Sequence, residues 1–208
     1  YMAFNANMVA NEMFLDSSSL RSSAVSHAKM LGYEVTSARA PKAIVNINLT
    51  TGDATKTLAA GTAFTTTVDG VNYQFVTTSD RTAANSGNVV TFDSVDIYEG
   101  TYVIGKSIVD TSNPDQKFTL SDPSADASTL TVKVQNSTSD TTTTTYTKAT
   151  DITQLSASST VYYLQEIERG RFEVYFGDGV VSKALTNGNI VILQYVVTNK
   201  GVANGVTS

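Results

Sequence analysis

The chain has 208 residues, 41% of them hydrophobic and 16% charged, a formal net charge of −5 and no cysteine. That length holds one large domain or two small ones, and the mild acidity disfavours a nucleic-acid-binding surface. Without cysteine there are no disulfides, thiolate zinc sites or cysteine nucleophiles, which fits assembly in a reducing cytoplasm, and no run reaches the roughly 18–20 apolar residues of a membrane span. Abundant Thr, Ser, Val and Asn with only 3 prolines read as β-rich. A start at Tyr1 reads as a fragment or a processed product.

Residues 1–15 lack Pro and Gly and predict a helix. Met2, Phe4, Met8, Val9, Met13 and Phe14 spread round nearly its whole circumference. A helix apolar on all sides is a buried helix, and its cover comes either from another chain or from this chain's own β core. Asp16-Ser17-Ser18-Ser19 is an N-cap signal for a second helix ending near Leu31. In it Leu20, Ala24, Ala28 and Leu31 form one stripe, and Gly32 stands where a C-cap glycine belongs. His27 is the single histidine and has no ligand-type neighbour at metal spacing, so it reads as structural.

From residue 33 the pattern becomes β. Val45, Ile47 and Leu49 alternate as a strand, and a hairpin follows around Asp69-Gly70. Its two-residue loop sets Val68 opposite Val71, Thr66 opposite Tyr73 and Phe64 opposite Phe75. Residues 80–88 read as a polar loop, and 89–97 and 102–109 as strands. The polar stretch Asp110–Gln116, which contains Pro114, reads as the join between two β units. Residues 136–150 are dominated by Thr and predict an exposed edge strand or ribbon. Phe172, Val174 and Phe176 then alternate into Gly177-Asp178-Gly179. Asn187-Gly188 is the dipeptide favoured in type I′ hairpin turns. Residues 190–197 are apolar apart from Gln194, a strand that wants cover on both faces.

A search for chemistry finds little. One histidine and no cysteine leave no Cys–His pair, and a Ser–His–Asp triad could use only His27. Asp93/Asp96 and Glu166/Glu168 are close in sequence but read as solvated strand faces. Asp178 between glycines reads as turn chemistry, because calcium needs six or more oxygens and no second acid stands at ligand spacing. The expectation is a non-enzyme with no catalytic residue, cofactor or metal.

The order of these motifs is similar to that of the baseplate-J-like family, which builds baseplate wedges of contractile-tailed, T4-like phages. The shared elements begin with a helix ending at Ala28 and Gly32, then Arg39 and Pro41, then Gly61-Thr62 with Phe64, and Gly70 with Phe75 and Thr77. They close with Phe176-Gly177-Asp178-Gly179, the Gly188 turn, the strand through Ile192 and Tyr195, and Gly201 with Asn204-Gly205. The resemblance implies a structural subunit of the virion tail baseplate, assembled in the host cytoplasm. It implies binding to copies of itself, as a homodimer or higher ring, and to other wedge proteins, with neither nucleic acid nor membrane as partner.

The expected architecture is mainly β. A short helical segment, 1–32, makes partner contacts through Met2, Phe4, Met8, Val9, Met13 and Phe14. A first antiparallel, sandwich-like β unit spans 33–112, and a second, 113–208, carries the FGDG hairpin. Asp69, Gly70, Gly177, Asp178, Gly179, Asn187 and Gly188 form its structural turns. A reading from another class also stands: a carbohydrate-binding or adhesive β module using some of the 10 tyrosines.

Overall fold

A computed structural model of the chain describes residues 2–33, 35–68 and 70–199, with no account of the side chains of Ala3, Phe4 and Ile152. Asp69, Gly201, Asn204 and Gly205, and the side chain of Phe4, therefore lie outside what is described.

Two helices come first, α1 (Met2–Glu12) and α2 (Arg21–Met30). The cap of α2 differs from the sequence expectation. The hydroxyls of Ser17 and Ser18 turn back to Asn11 O (2.7 Å) and Leu15 O (3.0 Å). With those serines engaged on the segment behind them, Glu12 supplies the capping oxygens. It accepts from Ser19 N at 2.9 Å, Ser19 Oγ at 2.7 Å and Leu20 N at 3.3 Å. At the other end Gly32 takes a φ of 80°. Gly32 N donates to Lys29 O and Tyr33 N to Ala28 O, the paired bonds that close a helix on a C-terminal glycine.

The rest of the described chain is β. The first sheet holds β1 (Lys42–Thr50), β2 (Thr55–Leu58), β3 (Ala63–Val68), β4 (Val71–Thr77), β5 (Arg81–Ser86) and β6 (Val89–Glu99). The long β6 is its spine, pairing with β1, β4 and β5, all antiparallel. It also supplies the core, Val90, Phe92, Val95 and Ile97, against which Val45, Ile47, Phe64 and Phe75 lie half-buried. The β3–β4 register places Val68 opposite Val71, Thr66 opposite Tyr73 and Phe64 opposite Phe75, as the two-residue loop requires. Residues 80–88 are not simply a loop. β5 pairs with β2 and turns into β6 through Gly87 and Asn88, both at positive φ (62° and 65°), the geometry of a type I′ turn.

The second sheet is built from β7 (Thr101–Ile108), β8 (Phe118–Leu120), β9 (Ala125–Gln135), β10 (Thr143–Lys148), β11 (Val161–Glu166), β12 (Phe172–Phe176) and β13 (Ile190–Val197). Their order is β7-β13-β9-β10-β11-β12-β8. β13 lies between β7 and β9, which pair with its two edges, and both its faces are buried. Val191, Leu193 and Tyr195 enter the main core, and Ile190, Ile192 and Val196 are buried on the other face. Every other strand of the sheet adds residues to that same core, among them Phe118, Val132, Tyr146, Tyr162 and Val174. A sheet whose strands all feed one core curls round it. The Thr-rich strand β10 is interior and not an edge. It runs antiparallel to β9 and parallel to β11, because alternation delivers Tyr146 to the core while the threonines stay outside.

The chain changes sheets at Glu99-Gly100, and 110–116 is a loop following β7 within the second sheet. The crossing is tight. A Cβ on Gly100 (φ 128°) would overlap the carbonyl oxygen of Val197. Glu99 is buried here, accepting from Thr198 Oγ1 at 2.8 Å, Asn199 N at 3.1 Å and Asn199 Nδ2 at 2.7 Å. Three donors on one buried carboxylate satisfy its charge and tie the end of β13 to the end of β6.

Candidate interface at the helical end and the FGDG loop

Five of the apolar residues singled out in residues 1–15, Met2, Met8 and Val9 on α1 and Met13 and Phe14 just after it, are open to solvent. Exposure runs from 46% at Met8 to 91% at Met2, with Val9, Met13 and Phe14 between. Leu20 and Leu31 of the α2 stripe are exposed as well, and no residue of α2 is buried. α2 meets the second sheet through polar groups. Arg21 Nη2 and Nε both reach Glu166 Oε1 at 3.0 Å. Lys29 Nζ donates to Glu166 O at 2.8 Å. Between α2 and residues 166–170 lies an open groove of about 650 Å³, whose lining includes Leu20, Val25 and Ile167. Met30 and Tyr33 extend the exposed apolar surface. Neither residue belongs to the stripe read from sequence.

The two helices are joined at Glu12. Hydrogen bonds from the Ser23 and Ser19 hydroxyls, and then from backbone N–H groups, hold its carboxyl at about 2, far below the ordinary 4.5. His27 Nε2 lies 2.9 Å from Glu12 O, so the single histidine joins α2 to the end of α1.

The second cluster of singled-out residues is the FGDG loop. Phe176 anchors it by edge-on contacts with Phe118 (5.6 Å) and Tyr146 (5.4 Å). Asp178 Oδ1 accepts from Val180 N at 2.9 Å, and that N–H holds the carboxyl below its usual range. Gly179 N donates to Ser182 O at 2.9 Å, closing the turn. At Gly177 a Cβ would overlap Ser182 Oγ and stand 2.6 Å from its carbonyl oxygen, so the backbone here tolerates no side chain. The loop is not a hairpin tip. β12 pairs with β11 and β8, and residues 177–189 carry the chain across to β13. Asn187-Gly188 also departs from type I′. Only Gly188 has positive φ (84°), and Asn189 N donates to Thr186 O at 3.0 Å, the pattern of a type II turn. Asn187 Oδ1 instead accepts from Thr111 N at 3.1 Å, holding the loop that follows β7. Val180 and Val181, exposed at the loop tip, were not singled out from sequence.

Among the described residues no group of three or more His, Asp or Glu is placed to hold a metal ion, and no helix is long and apolar enough to cross a membrane. What the geometry presents is surface, in the form of apolar helices and loop tips on a β frame.

Comparison with known proteins agrees with that character. Residues 104–205, nearly all of the second sheet, match the family model for the third domain of bacteriophage baseplate wedge protein gp6. Over 227 aligned positions the chain is 26% identical to baseplate wedge protein gp6 of Enterobacteria phage T4. That alignment takes in 99% of this chain and 33% of the relative, so the chain spans about a third of the relative's length. The class is that of structural proteins of the phage tail. Within it, the chain is similar to the baseplate wedge proteins of the virion tail, over nearly its whole length.

Proposed function

We propose that this chain is a self-associating, non-catalytic subunit of the baseplate wedge, bound to other wedge proteins and carrying a conformational change through the assembly. Residues 1–32 are its contact segment, and the two β units that follow are the frame. The observation that carries this reading is the exposure of Met2, Met8, Val9, Met13 and Phe14 along one short helical end. Burying a large apolar side chain yields about 1.5–3 kcal/mol, so this surface gains most by being covered. Methionine suits irregular contact surfaces because its unbranched chain adapts. The polar attachment of α2 through Glu166 lets the helices reorient without breaking a core.

Aspartate at both Met8 and Phe14 tests the reading. The double variant should run as a smaller particle than the unaltered chain in light scattering, with an unchanged β signal in circular dichroism. Loss of the β signal would make these residues intramolecular core and refute the assignment.

A further inference from the structure

The second sheet turns an apolar strip outward as well as a core inward. Val191, Leu193 and Tyr195 of β13 face the core, so alternation turns Ile190, Ile192 and Gln194 to the other side. The ladder sets Ile108 beside Ile190, Lys106 beside Ile192 and Ile104 beside Gln194. Across the other edge of β13, Lys133 stands beside Ile192. The two lysines bracket Ile192, and the stem of a lysine covers such a residue while its charge stays in water. That accounts for the burial of Ile192, whereas Ile104 and Ile108 remain 51% and 57% exposed. Neither Lys106 nor Lys133 has an ion-pair partner among the described residues.

The helical end has the same apolar character and the opposite charge. Between α1 and α2, the turn Met13-Phe14-Leu15-Asp16 presents three apolar side chains, 49% to 63% exposed, with Asp16 exposed beside them. Residues 2–20 hold two carboxylates, Glu12 and Asp16, and no lysine or arginine. Charge therefore disfavours pairing either surface with its own copy. Face on face gathers the lysines of two chains, tip on tip gathers their carboxylates, and like charges set together cost affinity. Tip on face joins unlike charges and covers apolar side chains on both partners. Other exposed apolar residues of the β frame offer the tip less. Ile44 lies opposite Asp96, which Lys42 already holds at 2.9 Å. Val180 and Val181 follow directly on Asp178, of the same sign as Asp16.

We infer that the turn Met13-Phe14-Leu15-Asp16 of one chain docks on the outward face of β7, β13 and β9 of a second copy. The apolar side chains of the tip lie against Ile104 and Ile108, and Asp16 lies between Lys106 and Lys133. The inference rests on the self-association proposed above and names the surface that receives the helical end. Donor and receiver are different surfaces, so the contact is head-to-tail. Each added chain leaves one tip and one face open, and such a contact builds a ring where the rotation closes and a filament where it does not.

The chain has no cysteine, so single introduced cysteines report the contact without background. One goes at the tip, Leu15→Cys, and one at the rim of the face, Thr145→Cys, where the exposed Thr145 lies opposite Lys133. Treated with a short bismaleimide, a mixture of the two variants is expected to give a covalent pair that neither variant gives alone. Charge supplies a second readout. Lys106→Glu together with Lys133→Glu should weaken association about tenfold in sedimentation velocity. Adding Asp16→Lys to that same chain should restore it, which a merely misfolded face would not allow. Leu15→Cys cross-linking to itself as fully as the mixture does overturns the proposal, because the helical ends then pair with each other. An associating chain that gives no mixed cross-link also overturns it, leaving self-association in place but seated elsewhere. A chain that stays monomeric refutes the self-association itself, and this inference with it, and assigns both surfaces to a different polypeptide.

Discussion

Gly177 shows how much a single residue determines. The chain must leave β12 and pass directly over Ser182, whose side chain is fully buried against it. Any side chain at this position meets backbone as well as the Ser182 hydroxyl, so the neighbour cannot simply rotate away. Gly177→Ala should therefore lower stability by about 1–3 kcal/mol, the range for forced overpacking, read from the midpoint of urea unfolding. An unchanged midpoint would mean that the loop relaxes freely. Sequence marks Gly177-Asp178-Gly179 as a turn, and Asp178 does act as turn chemistry through Val180 N. It does not disclose the contact with Ser182, because that approach is made by the path of the loop and not by any local pattern. The same limit explains Asn187-Gly188. The dipeptide gives a turn, but the type depends on where the flanking chain goes, and Asn187 is held by Thr111 from the loop beyond β7.

At the scale of elements, the helix pair depends on Glu12. Its carboxyl titrates at about 2 when folded, against an ordinary 4.5. The folded state therefore favours the charged form. Its contribution to the α1–α2 arrangement is complete above the unfolded value and is lost as pH falls through about 2. The Glu12 carboxyl carbon, followed by NMR in acid, should titrate near 2 together with the Ser19 amide that binds it. A midpoint at the ordinary glutamate value would show that the cap is not formed. Serines 17–19 were legible as a cap signal, but the sequence could not show that a residue of the preceding helix reaches the site first. Strands tell a similar story. β3 and β4 were readable down to their register because their loop is two residues long and their pairing is local. β13 was readable as a doubly covered strand from its apolar run. β5 and β10 were misjudged because Asn, Ala and Thr fill edge, loop and interior positions alike, and only distant partners decide between them.

For the whole molecule, the fold separates two cored sheets from an exposed apolar helical end. Each sheet surrounds its own core, and the buried Glu99 with Thr198 and Asn199 fastens the end of one to the end of the other. Among the described residues the helical end contributes no side chain to either core, and its named polar contacts with the sheets go to Glu166. In sequence the apolar circumference of α1 was visible, and so was the question of what covers it. The structure shows that the described part of this chain leaves it uncovered. On the proposed function, neighbouring chains cover such a surface, and the same argument extends to Val180 and Val181 at the loop tip. Exposed apolar area of this kind separates a part from a finished particle.

Sedimentation velocity on the unaltered chain at tens of micromolar tests that claim most directly. The account predicts a reversible species of at least two chains whose population grows with concentration. A single monomeric boundary that stays fixed across the concentration range would contradict self-association through the helical end.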